Sequence, residues 1–186
     1  MKIKNLLTIA SIGITFFIAQ AQSTLTSGYI ITSTGDTLKG QVKFNPKNDL
    51  TLFDAVVFQT NQNDKKSYRP NKIKGFAYNE NCFVSRKIED NEVFVKRVSA
   101  GNVNLYEYKS EEFFMNKIRI SIEYYIEKSG TAELIHIKES KFKKQLAEVM
   151  GDDQELLKDI HDKKYEYDKI VDIFEQYNTK KEINKG

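Results

Sequence analysis

Apolar and polar positions alternate with a period of two from Gly28 to Lys138, and after Glu139 the spacing lengthens to that of a helix. Residues 29–32 and 38–44 read as strands of a hairpin, with Leu38, Gly40, Val42 and Phe44 on one face. Gly35 between them supplies the positive φ that a tight turn requires. The turn cluster 45–49 leads into a dense apolar run, 52–58, read as a strand and ended by the polar loop 61–66. Pro70 keeps the residues before it extended, and residues 73–78 form the next strand. Residues 83–88 and 93–98 flank Glu89-Asp90-Asn91-Glu92 as a second hairpin, and Gly101-Asn102 turns the chain into a strand over 103–108.

The most regular alternation follows. Ile118, Ile120, Ile122, Tyr124 and Ile126 share one face, against Arg119, Ser121, Glu123, Tyr125 and Glu127 on the other. The first face is expected to be core, with Ile120 and Ile122 inside it, and the second wet. Ser129-Gly130 turns back into a partner strand over 132–137.

Three helical stripes close the chain. Phe142, Leu146, Val149 and Met150 form the first, ended by Gly151. Leu156, Leu157 and Ile160 form the second, capped by Asp152 or Asp153. Tyr167, Ile170, Val171, Phe174 and Tyr177 form the third, after which residues 179–186 are expected to fray. Strands first and helices last predict an α+β fold: an antiparallel curved sheet or open β-barrel followed by C-terminal helices. The expected organisation is a β-rich domain over 22–139, a helical segment over 140–178 and a disordered tail.

The first 21 residues stand apart. Lys2 and Lys4 precede an apolar stretch from Leu6 to Ile18, and Ala19-Gln20-Ala21 follows. This order is that of a cleaved export signal, which gives a mature chain beginning at Gln22 with no transmembrane span. No cysteine near the cleavage site offers a thiol for a lipid. The net charge of +3 includes both leader lysines, so the remainder is near neutral, which argues against nucleic acid. Cys82 is the sole cysteine, so no internal disulfide forms; its apolar neighbours Phe83 and Val84 suggest a buried, inert thiol.

Candidate chemistry is sparse. Tyr106 and Tyr108, like Tyr124 and Tyr125, come close together, and two rings at i and i+2 on a strand share a face. Such a row suits packing, or stacking on a sugar or peptide. Tyr106, Tyr108, Tyr125 and His136 are therefore the candidate ligand-binding residues. His136 and His161 lie far apart without the short spacings of a zinc site, so neither a metal nor another cofactor is expected. The adjacent carboxylates Glu111-Glu112 and Asp152-Asp153 do not imply a glycosidase pair, and no nucleophile elbow or phosphate loop occurs. No catalytic residue is assigned.

Four segments, taken in order, carry a resemblance. They are Gly35-Asp36-Thr37-Leu38-Lys39-Gly40; Tyr68-Arg69-Pro70 with Ile73-Lys74-Gly75-Phe76; Phe94-Val95 through Val98, Gly101, Val103, Leu105 and Tyr106; and Ile170-Val171 with Tyr177-Asn178. Their layout resembles that of a family of uncharacterised exported envelope proteins of the Bacteroidota. The resemblance implies a β-rich body with a helical C-terminus, residence in the periplasm or outer envelope, and no known activity. Residue chemistry gives these segments structural roles, with Gly35 and Gly40 at a turn and a close strand crossing, and Gly75 and Gly101 at positive φ. The functional expectation is a non-catalytic envelope module that binds a protein or a glycan. The alternatives are a hydrolase of envelope or extracellular material, with His136 and carboxylates meeting in a groove, or a structural assembly partner.

Overall fold

A computed structural model describes residues 23–127 and 133–183. The expected leader, the expected turn at Ser129-Gly130 and the last three residues lie outside them.

Among the described residues, ten antiparallel strands form one open sheet: β1 (Thr24–Thr32), β2 (Thr37–Phe44), β3 (Val56–Gln59), β4 (Lys65–Tyr68), β5 (Ile73–Tyr78), β6 (Asn81–Ile88), β7 (Asn91–Ser99), β8 (Asn104–Phe114), β9 (Lys117–Glu127) and β10 (Leu134–Ile137). Their spatial order is β10-β9-β8-β7-β6-β5-β1-β2-β3-β4. Among the described residues three α-helices follow: α1 (Phe142–Val149), α2 (Gln154–His161) and α3 (Ile170–Ile183). The fold is thus α+β with a curved, open antiparallel sheet. Among the described residues no helix is long and apolar enough to cross a membrane.

The hairpin turns follow residue chemistry. Gly35 has φ 103°, and Glu89 takes φ 53° between β6 and β7. The apolar run at 52–58 is not one strand. Leu50–Phe53 is a 3₁₀ turn whose Leu52 and Phe53 plug the sheet, and only Val56–Gln59 pairs. Gly75 does not have positive φ; it is small because a Cβ there would press on the Phe83 carbonyl of β6. The third helix runs on through Ile183, so 179–183 is helical and not frayed.

Three clusters fill the interior. The largest strand-borne one gathers Ile30, Val42, Phe58, Phe76, Phe83 and Phe94 around the Leu52-Phe53 plug. The second seats the helices: Leu146, Leu156, Ile160, Ile173 and Phe174 pack on Leu105, Ile126 and Ile137 of β8, β9 and β10. The third lies on the opposite face of the sheet and joins Val93 and Val95 of β7 to Tyr106 of β8 and Tyr125 of β9. Asp153 caps α2 by accepting from the Leu156 amide at 3.2 Å.

Candidate functional site

The four tyrosine and histidine candidates do come together. Tyr106 pairs with Tyr125 across β8 and β9, and Tyr125 pairs with His136 across β9 and β10. Directly paired residues share a face, so the three form a row. The row is packed and not open. Tyr106 is 1% exposed and shows no ring face to solvent. Tyr125 is buried as well, and the half-exposed His136 ring stacks on it at 4.8 Å between centroids. Tyr108 turns its ring edge to Phe53 at 5.9 Å and serves as packing between two clusters.

A polar bridge spans this row. Glu127 accepts from the Tyr106 hydroxyl (2.6 Å) on one oxygen and from Arg86 Nε (2.9 Å) and Nη2 (2.6 Å) on the other. Arg86 stands on β6, three strands from β9. On a flat sheet at about 4.8 Å per strand their backbones would lie roughly 14 Å apart. The sheet therefore curls toward this face, and the guanidinium spans the curl above the Tyr106 ring, 5.7 Å from its centroid. Burial and the hydrogen bond to Glu127 push the Tyr106 hydroxyl up to about 12. Burial alone would raise the Glu127 carboxyl, but the Tyr106 hydrogen bond and the Arg86 charge outweigh it and hold the group below its ordinary value. No sequence motif marks Arg86 or Glu127, because their meeting depends on the curl.

His136 lies 4.0 Å from a Glu123 oxygen, too far for a hydrogen bond. Glu123 instead accepts from the Tyr125 hydroxyl at 2.8 Å. His161 is exposed beside Asp162, remote from this row in the chain. Cys82 is half-buried on β6, opposite Ala77 and Arg97, and not sealed in the core as expected. Among the described residues no three His, Cys, Asp or Glu side chains stand close enough to hold a metal. Asp152 and Asp153 are tied to α3: Tyr177 donates to Asp152 at 3.0 Å, and Lys180 bridges Asp153 at 2.9 Å.

The feature with the greatest capacity for binding is the one read as core. β8 pairs with β7 only through Glu107, and β9 pairs with β10 only from Tyr124 onward. Beyond those residues, among the described residues, the two strands pair with each other alone, as a ribbon reaching to Phe114 and Lys117. Its base is fixed. Lys109 bridges Asp49 at 3.0 Å and Glu107 at 3.3 Å, next to the Leu50–Phe53 turn. From there the ribbon extends roughly 17 Å, five residues at 3.3 Å each. Ile118, Ile120 and Ile122 are 68%, 58% and 47% exposed, and the tip residues Phe113 and Met115 are 77% and 79% exposed. The alternation is real, but the helices cover this face only as far as Tyr124, which meets Tyr167 at 6.0 Å. The isoleucine stripe outruns its cover, so the expectation that Ile120 and Ile122 are core is corrected.

A separate groove of about 320 Å³ lies between α1 and the sheet, lined by Val103, Ile126, Ile135 and Val149 with Gln145 and Glu148 at its rim. Gln145 donates to the His136 carbonyl at 2.8 Å and accepts from the Lys138 amide at 3.0 Å, which fixes α1 to the end of β10.

Comparison with family models, curated proteins and solved structures finds no match to the chain.

Proposed function

We propose that this protein is an exported envelope protein that works as a non-catalytic interaction module, and that the β8–β9 ribbon is its contact surface. One observation carries the reading. Five large apolar side chains, Phe113, Met115, Ile118, Ile120 and Ile122, are exposed along the isoleucine face and tip of a single projecting hairpin. A contiguous apolar surface of this kind is retained in folded proteins chiefly where something binds it. The opposite ribbon face, with Glu112 paired to Arg119 and Ser110 to Ser121, is polar apart from Phe114, whose ring packs under the Arg119 guanidinium at 4.8 Å. That asymmetry suits a partner lying along one side. The basic, apolar, Ala-Gln-Ala order of residues 1–21 supports export, and the resemblance to Bacteroidota envelope proteins supports residence in the periplasm or outer envelope.

The test is affinity capture from envelope fractions with the native protein and a triple variant, Phe113→Ser, Met115→Ser and Ile118→Ser. The expected result is a defined partner set that the variant loses while its melting temperature is kept, with an exported chain beginning at Gln22. Identical recovery by both proteins would defeat the reading.

A hydrolase is the second reading, favoured by the approach of His136 to the Glu123 carboxylate. It requires turnover of a glycan, peptide or ester that His136→Ala abolishes.

A further inference from the structure

The outer edge of β9 carries more information than its apolarity. β9 is hydrogen-bonded to β8 along its whole length, but among the described residues no strand pairs with the other edge of residues 117–123. These seven residues read Lys-Ile-Arg-Ile-Ser-Ile-Glu. Their backbone donors and acceptors on that side form an open ladder, the kind of edge that adds another strand.

The seven-residue edge is self-complementary about its own midpoint. Let a second β9 run antiparallel to the first with the two-fold axis at Ile120. Lys117 then faces Glu123 of the second copy, Ile118 faces Ile122, Arg119 faces Ser121, and Ile120 faces Ile120. Every unpaired residue finds a counterpart, opposite charges meet at both ends, and no like charges oppose one another. The three isoleucines of each copy fall on one face of the joint sheet, and the charged and hydroxyl side chains fall on the other. This is the isologous arrangement of a two-fold dimer, in which one patch serves both partners.

We infer that two copies of this chain join edge to edge through residues 117–123 of β9, with Ile120 on the axis. The inference rests on the ribbon being the contact surface and names its occupant. Edge pairing satisfies the open backbone ladder and places the two isoleucine stripes side by side on one face of the joint sheet. An apolar partner lying only on the stripe would leave the ladder open.

Cysteine cross-linking reads the register directly. Residues on the axis of an antiparallel pair have Cα atoms about 4.5–5.5 Å apart, within disulfide range. Residues 119 of the two copies would lie about 8 Å apart, outside it. In a Cys82→Ser background, Ile120→Cys is expected to form a disulfide-linked dimer under mild oxidation and Arg119→Cys is not. By sedimentation, Lys117→Glu should weaken the native dimer about tenfold, and adding Glu123→Lys should restore most of the loss. All the substituted ribbon side chains are exposed or half-exposed, and an unchanged melting temperature confirms the fold. A native protein that stays monomeric at about 100 μM, or equal cross-linking at positions 119 and 120, overturns the inference. A monomer whose ribbon still retains a different envelope protein, or floats with phospholipid vesicles, overturns the second-copy occupant and leaves the interaction reading standing. A monomer whose ribbon retains nothing overturns both.

Discussion

The side chain of Asn178 closes a two-bond ring with the backbone of Val103: its Nδ2 donates to the Val103 carbonyl at 2.9 Å and its Oδ1 accepts from the Val103 amide at 3.1 Å. A buried carboxamide thus acts as one more ladder residue, locking α3 onto the turn between β7 and β8. Nδ2 also donates to Ser99 Oγ at 3.0 Å. Gly101 makes room, since a Cβ there would fall 2.6 Å from the Asn178 side chain. Segments far apart in the chain, Gly101 with Val103 and Tyr177 with Asn178, are in this way one latch.

Asn178→Leu should therefore destabilise the protein by about 2–4 kcal/mol. The substitution leaves two backbone groups unpaired beneath the helix, each at about 1–3 kcal/mol, with partial rescue by water. Gly101→Val should act in the same direction by forcing the asparagine away. Urea melts of both variants check this, and a loss below about 0.5 kcal/mol for Asn178→Leu would show that the latch is idle.

Ile122 and Ile126 lie on one face of one strand, four residues apart, and separate packing from exposure. Ile126→Ala should cost about 2–5 kcal/mol, because it opens a cavity beneath the helices. Ile122→Ala should cost no more than about 0.5 kcal/mol, as expected of a surface substitution. Equal losses in reversible urea unfolding would mean that the ribbon is covered in solution.

That contrast shows what the sequence could and could not reveal. Period-two alternation reports that a strand has two unlike faces; it does not report how far the covering layer reaches. The stripe from Ile118 to Ile126 is continuous in sequence, and the placement of Tyr167 against Tyr124, itself backed by Phe142, sets the limit of the core. The helices were legible because their apolar spacing had to match a single sheet face, and the cap of α2 was readable as Asp152 or Asp153, of which the structure uses Asp153. The ribbon's other strand was not, because Lys109-Ser110-Glu111-Glu112 masks the period before Phe113. Arg86 and Glu127 were invisible for a different reason: a contact across three strands depends on sheet curvature, which no local pattern encodes.

Glu127 should make stability fall in acid. Its carboxyl titrates below its ordinary value in the folded protein. Its contribution is therefore full above the unfolded value, about 4.3, and is lost as pH falls from there through the lower folded value. Asp152, hydrogen-bonded by Lys181, and Asp153, whose bonds from Lys180 and the Leu156 amide outweigh its burial, are shifted in the same direction. Glu127→Gln should flatten the stability profile between about pH 5 and pH 3 without abolishing its slope, since both aspartates still titrate. An unchanged slope in urea melts across that range would mean that the Arg86 bridge does not persist in solution.

The ribbon tip carries the last test. Met115 and Asn116 both have positive φ, 47° and 61°, between the paired residues Phe114 and Lys117. A two-residue hairpin turn with both centres left-handed favours Asn-Gly, and methionine is poorly suited to the first of these positions. Packing does not explain it either, because Met115 is the most exposed large apolar residue described. The proposed contact outside the molecule would account for a side chain that neither the turn nor the core requires. Met115→Asn with Asn116→Gly should therefore stabilise the hairpin by about 0.5–1 kcal/mol through a better-suited turn. The same pair of substitutions should lower partner recovery from envelope fractions, an exchange of function for stability. A variant that gains stability and binds as well as the native protein would show that Met115 is dispensable and would move the contact surface down the ribbon to the isoleucine stripe.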